Sequence, residues 1–161
     1  MDIEISDVIK RLDYDPETGF FVWKADGRVF RRGDVAGSLN NQGYWTIGLM
    51  GKRRSAHRLA WMHFYREVPR LCVDHIDGNR ANNSIKNLRI ATRRQNNMNM
   101  KVKSTTGFKG VSHHKLTGKF QAAIKIDGKN HHLGLFHTAY DAHVAYVSAA
   151  KLLFGQYYRS E

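Results

Sequence analysis

Val73-Asp74-His75-Ile76-Asp77-Gly78-Asn79 sets a carboxylate beside an imidazole, and Asn82, Asn83, Asn87, Asn96 and Asn97 follow at spaced intervals. A carboxylate can hold a divalent metal, and an adjacent imidazole can take a proton from water. The surrounding chain is rich in lysine and arginine, which hold polyanions. Together these are the parts of a site that cleaves a phosphodiester. Taken alone, the Asp-His pair has a second reading, in which Asp accepts a backbone N–H in an Asx-turn. Asn79, Asn82 and Asn83 read as turn formers in the same loop. His57 either contacts a phosphate or packs at the start of a helix, and His63 reads as a helix-face residue.

The elements around these residues follow from periodicity and punctuation. Residues 71–75 read as a short strand, Asp77-Gly78-Asn79 opens a polar loop, and residues 87–91 read as a second strand. Thr92 is placed to cap a helix running through Arg93, Arg94, Gln95 and Asn96. Upstream, Leu59, Ala60, Met62, His63 and Phe64 give residues 56–67 a helical inner face, ended by Pro69. The first fifty-odd residues read as mostly β. A short helix over 3–12 precedes a turn at 15–19, a strand over 20–23, a turn at 40–43 and a strand over 44–49.

Residues 97–106 lack a clean period and read as a linker, and a new module begins at Gly107. Strands are expected over 109–114, 119–126 and 130–136, with a tight hairpin at Asp127-Gly128. Phe120, Ala122, Ile124 and Ile126 share one face of the middle strand, and Leu133 and Leu135 point inward from the third. Thr138 caps a helix over 139–154, whose apolar stripe is Ala142, Ala145, Tyr146, Ala149 and Leu153, and Gly155 ends it.

Charge separates the two ends of this 161-residue chain. Its formal net charge is +12, yet residues 1–50 carry six Lys/Arg against eight Asp/Glu. The remainder carries twenty against six, so the basic region starts just before the Asp-His pair. A balance this basic points to nucleic acid or to an anionic membrane. No apolar run of membrane-spanning length and no signal peptide is evident, which favours nucleic acid. Cys72 is the only cysteine, which excludes an intramolecular disulfide and any zinc knuckle built on paired cysteines. It lies in the apolar run Leu71-Cys72-Val73 and reads as a small core residue. His113, His131, His137 and His143 form no convincing metal cluster.

Ala56-His57-Arg58-Leu59-Ala60-Trp61, Val73-Asp74-His75-Ile76-Asp77-Gly78-Asn79, Asn82-Asn83 and Asn87-Leu88-Arg89 recur in order over roughly residues 50–99. This pattern resembles the HNH nuclease family in its phage and intron-associated branch. The resemblance implies a ββα-metal fold, in agreement with the strand-loop-strand-helix outline. It implies His75 as the general base that activates water and Asp74 as a metal ligand. It further implies Asn87 as the residue that steadies the loop and orients His75, and Asn96 as the second metal ligand. An amide oxygen in that last position suits one Mg²⁺, with Mn²⁺ as the alternative. Arg93 and Arg94, beside Asn96, either hold the scissile strand or form a solvated basic face.

Phe108-Lys109-Gly110-Val111, Gly118-Lys119-Phe120, Ala122, Ile124-Lys125, Leu133-Gly134-Leu135-Phe136, Thr138-Ala139, Asp141-Ala142, Ala145-Tyr146 and Ala149-Ala150 resemble an Apetala-two/ethylene-response-factor DNA-binding domain. The resemblance implies a sheet laid in the major groove. Lys109, Ser112, His114, Lys119, Gln121, Lys125 and His132 would then face DNA, with Lys101 and Lys103 of the linker tracking phosphates. The expectation is an α+β chain of four parts. A mostly β unit spans 1–54, a ββα nuclease domain 55–99, a basic linker 100–106 and a DNA-binding module 107–161. Its expected activity is metal-dependent hydrolysis of double-stranded DNA to 5′-phosphate and 3′-hydroxyl ends, as a phage-type homing endonuclease. It would act as a monomer or homodimer in the cytoplasm of a bacterial host. The alternative is a non-catalytic DNA-binding or regulatory protein on a degenerate nuclease fold.

Overall fold

The first helix, α1 (Ile5–Arg11), opens on a capping box in which the Asp7 carboxylate accepts the Glu4 backbone N–H at 3.3 Å. It buries Val8. The computed structural model describes residues 3–98 and 104–158, so Lys101 and Lys103 lie outside the described residues. The chain is α+β and divides into two units, Met1–Arg93 and Arg94–Glu161.

In the first unit α1 runs directly into a strand that periodicity did not separate from it, β1 (Leu12–Tyr14), which pairs antiparallel with β2 (Phe21–Trp23). The turn between them is closed by Asp15, whose carboxylate accepts the Glu17 N–H at 2.9 Å and the Thr18 hydroxyl at 2.7 Å. A three-stranded antiparallel sheet follows in the order β3 (Ser38–Leu39), β4 (Trp45–Leu49), β5 (Lys52–Ser55). Helix α2 (Ala56–Tyr65) packs against α1, β1, β4, β5 and the next strand, β6 (Cys72–His75). It ends before the proline expected to stop it. Arg66 takes a left-handed conformation (φ 58°) and its N–H closes on the Met62 carbonyl. On this helix Trp61 lies in the core and Phe64, expected on the inner face, is exposed.

Strand β6 pairs antiparallel with β7 (Leu88–Ala91), and a 3₁₀ turn over Ile85–Asn87 leads into β7. The segments separated at 54/55 by sequence share one core. Val8, Leu12, Tyr14 and Phe21 pack in the same cluster as Leu59, Val73, Ile85 and Leu88. Helix α3 (Arg93–Met98) begins at the boundary between the units.

The second unit is a three-stranded antiparallel sheet, β8 (Val111–His114), β9 (Lys119–Ile126) and β10 (Lys129–Phe136), with β9 central. One helix, α4 (Ala139–Phe154), packs on it. Asp127 and Gly128 both take positive φ (48° and 82°), as the two-residue hairpin joining β9 and β10 requires. Thr138 caps α4 by accepting the Asp141 N–H at 3.1 Å.

Two details differ from simple alternation. The β9–β10 register shifts between His132 and Gly134, so Leu135 turns outward and Phe136 packs into the core instead. One extra residue in a strand moves the following side chains to the other face. On α4 the buried residues are Ala142, Tyr146, Ala150 and Phe154, each four apart, and Leu153 is half exposed.

Candidate active site

Strand β6 delivers Asp74 and His75 to opposite faces, because successive side chains alternate along a strand. Asp74 lies directly across from Arg89 in the β6–β7 register. The Arg89 guanidinium donates through Nε at 3.0 Å and Nη2 at 2.9 Å to the Asp74 Oδ2. Both side chains are largely buried, and the two charge-assisted bonds converge on one carboxylate oxygen and hold it in place.

His75 faces the core side with Val73 and is 4 % exposed. Its ring meets the edge of His57, the second residue of α2, with centroids 4.9 Å apart. Tyr44, just before β4, lies 5.5 Å from His57 and 6.1 Å from His75. The Arg80 guanidinium stands over the Tyr44 ring at 4.7 Å and donates to the Gln42 carbonyl at 2.9 Å. Arg58 ties α2 to the approach of β6 by donating to the carbonyls of Pro69 at 2.9 Å and Leu71 at 3.2 Å.

Burial sets the protonation of this cluster. It pushes His57 down to about 3, helped by the unfavourable electrostatics of a second proton beside His75 and Arg58. Burial also holds His75 below the ordinary histidine value, against the opposing hydrogen bond to Asn83 and the charges of Asp77 and Asp74. A neutral imidazole at neutral pH is the form that accepts a proton. The His57 Nδ1 is buried without a hydrogen-bond partner among the described residues.

The loop from 76 to 87 is held by its amides. Asn87 accepts the Asp77 N–H at 3.0 Å and donates to the Asp77 carboxylate at 2.9 Å and to the Asn82 carbonyl at 2.8 Å. The Ile76 N–H donates to the Asn87 carbonyl at 2.8 Å, so the loop closes on itself at both ends. Burial alone would raise the Asp77 pKa. Hydrogen bonds from Asn82, the Asn79 N–H and Asn87 outweigh that and hold it low.

Asn87 therefore steadies the loop and makes no hydrogen bond to His75; the amide that touches the imidazole is Asn83, with Oδ1 3.1 Å from His75 Nε2. Asn83 is 2 % exposed, and its own carbonyl accepts the Tyr14 hydroxyl at 2.7 Å. Sequence reasoning took Asn83 for a turn former and did not single out Tyr14 or Tyr44. The twin amides Asn82-Asn83 look alike in sequence, and only the loop's closure decides which one turns inward.

Asn96 is half-buried on α3, in the second unit with Arg94; Arg93, the last residue of the first unit, is exposed. Arg94 is engaged by the Asp127 carboxylate and stands over the Phe154 ring at 5.4 Å. On the face of the second unit's sheet away from α4, the register sets Ser112 beside Gln121, His114 beside Lys119 and His132 beside Ala123. Lys125, on the same face, is opposite Asn130. The His114 Nδ1 pairs with the Thr117 hydroxyl at 2.8 Å, and the Lys109 ammonium lies 5.8 Å from the Tyr158 ring centre.

Residues 54–98 match the family model of the HNH endonucleases. Protein 3.8 of Escherichia phage T7 is 39% identical over 61 residues, 37% of this chain and 50% of that protein. YosQ of the SPbeta prophage of Bacillus subtilis (strain 168), whose name assigns it provisionally to the HNH homing endonucleases, is 35% identical over 81 residues, 46% of this chain and 47% of that protein. The uncharacterized HNH endonuclease L560 of Acanthamoeba polyphaga mimivirus is 30% identical over 121 residues, 74% of this chain and 63% of that protein. The chain thus spans about half the length of the first two relatives. Among solved structures, the HNH homing endonuclease I-HmuI, described as binding and cleaving DNA, aligns over 95% of this chain and 83% of that one, at 23% identity and a TM-score of 0.44.

Proposed function

We propose that this chain is a DNA endonuclease that hydrolyses phosphodiester bonds with His75 as general base. The observation that carries the reading is a His75 imidazole kept neutral by burial, next to the arginine-fixed carboxylate of Asp74 and inside the HNH-matched stretch. A neutral imidazole deprotonates water, and the proton then resides on the ring. Asn87 keeps the loop closed beside the base. Asp74 of the first unit is the residue that would hold a divalent cation, and Asn96 is the second ligand that the family resemblance implies. Their donors are one carboxylate and one amide oxygen, a hard set that fits Mg²⁺ or Mn²⁺. Among the described residues no cluster of three or more His, Cys, Asp or Glu offers a competing metal centre. When bound, such a cation supplies electrostatic stabilisation of the negative charge that builds on the scissile phosphate.

The second unit supplies position on double-stranded DNA. Three antiparallel strands on one helix, with Lys119, Gln121, Lys125, Ser112, His114 and His132 on the face away from that helix, support an Apetala-two-like mode of groove binding. Arg93, Lys109, Lys101 and Lys103 add phosphate contacts in this reading, and Arg94 contributes after release from Asp127. Tethering a sheet that reads DNA to a site that cuts backbone gives the site choice that homing needs. No helix among the described residues is long and apolar enough to cross a membrane. The relatives from phage T7 and from a prophage support action inside a bacterial host.

Cleavage of supercoiled plasmid and of phage genomic DNA tests the reading, with Mg²⁺ and with EDTA. Wild type nicks or linearises DNA only with metal, and His75→Ala slows this by roughly two to four decades with DNA affinity retained. Equal cleavage by the variant removes His75 from the mechanism. Metal-independent DNA binding without cleavage by wild type turns the protein into the non-catalytic binder.

A further inference from the structure

Asn83 has one amide oxygen and one amide nitrogen, and its surroundings decide which faces the base. The nitrogen donates to the Ala81 carbonyl at 3.1 Å, and a carbonyl can only accept. The oxygen is therefore the atom 3.1 Å from His75 Nε2. An amide oxygen can only accept as well, so Nε2 must carry a hydrogen. In the neutral ring the lone pair then belongs to Nδ1.

We infer that Asn83 is a positioning residue that fixes His75 in the Nε2–H tautomer and so assigns proton abstraction to Nδ1. The inference rests on the reading of His75 as general base. Asn83 is well held for this task. Tyr14 of β1 donates its hydroxyl to the Asn83 carbonyl, and the Ser84 hydroxyl and Ile85 N–H donate to the Pro16 carbonyl at 3.1 and 2.9 Å. Gly19 of the same hairpin lies so close that a Cβ there would sit 2.3 Å from the Asn83 carbonyl carbon. The amide is thus clamped from its backbone by the β1–β2 hairpin and from its side chain by Ala81. The proton balance is simple: one proton leaves water for Nδ1, and the ring becomes an imidazolium whose Nε2–H still donates to Asn83.

Nitrogen-15 NMR of the metal-free protein tests the tautomer without any cleavage assay. The His75 ring is assigned by its loss in His75→Gln. In wild type Nε2 is expected as the protonated nitrogen, with its hydrogen protected from exchange, and Nδ1 as the unprotonated one. A neutral ring carrying its hydrogen on Nδ1 overturns the inference, whatever the activity. Asn83→Asp keeps an oxygen acceptor and is expected to keep the protected Nε2–H, whereas Asn83→Ala loses the protection. In plasmid nicking, Asn83→Ala is expected to lower kcat by about 10- to 100-fold with KM for DNA little changed, and Asn83→Asp to recover part of it. Lost Nε2–H protection with unchanged kcat also overturns the inference. Should Asn83→Ala not fold, the wild-type and Asn83→Asp spectra decide alone. An inactive wild type with the Nε2–H tautomer refutes the nuclease reading and leaves the hydrogen-bond assignment standing.

Discussion

Lowering the pH from about 7 to about 5 destabilises the first unit through His57 by roughly 2 kcal/mol. The ordinary histidine value of 6.5 falls to about 3 in the folded protein, because the ring is buried beside His75. A base whose folded value is depressed contributes full stability above its unfolded value. That contribution is lost as pH falls from the unfolded value toward the folded one, since only the unfolded chain takes up the proton. At about pH 5 the unfolded ring is one and a half pH units past its midpoint, at about 1.4 kcal/mol per unit. His75 is shifted the same way and adds to the same slope. The assay is urea unfolding followed by indole fluorescence, because Trp23, Trp45 and Trp61, the chain's three tryptophans, all lie in the first unit. With a urea slope of about 1–3 kcal/mol per molar, the midpoint of wild type should fall by roughly 1 M more than that of His57→Gln between the two pH values. Equal pH dependence in both proteins refutes the claim that His57 is buried neutral.

Arg89→Met leaves the Asp74 carboxylate buried without its guanidinium. It should cost about 3–5 kcal/mol in the same unfolding assay; a loss under about 1 kcal/mol means the pair is not what seats Asp74. Gly19→Ala forces a Cβ against the Asn83–Ser84 backbone at a φ of +79°. The expected loss is at least about 2 kcal/mol, and a change within about 0.5 kcal/mol would mean the hairpin does not press on the loop. Replacing Lys119 and Lys125 together by alanine should lower the salt slope of DNA affinity by about 2 while kcat at saturating DNA stays the same. An unchanged slope removes the second unit's sheet from the phosphate interface.

How far the sequence could be read depended on whether the controlling contact was local. Asp127-Gly128, the Thr138 cap and the two strands flanking the Asp-His loop are local, and their positions follow from a few neighbouring residues. Asp74 and His75 were visible as adjacent residue types suited to one chemistry. What stayed hidden was set across the chain. Nothing near Asn83 says that it turns inward, because its partners Tyr14 and His75 are brought to it by other strands. The outward turn of Leu135 depends on a register shift against β9, which the alternating pattern of β10 does not reveal. The early end of α2 at Arg66 is a backbone event in a residue type that rarely takes a left-handed φ, so Pro69 was the more visible stop.

The bond from Tyr14 to Asn83 joins residues 69 positions apart, and Ser84 reaches back 68 positions to Pro16. Contacts so distant in the chain form late in folding, because the loop-closure entropy must be met before they stabilise anything. During synthesis the β1–β2 hairpin leaves the ribosome well before the segment it will clamp. The seat of the imidazole is thus completed only when the whole first unit has come together. A nascent, nicked or partly unfolded chain carries every residue of the Asp-His loop yet lacks the clamp that holds Asn83 against the imidazole, so the arrangement exists only in the completely folded unit.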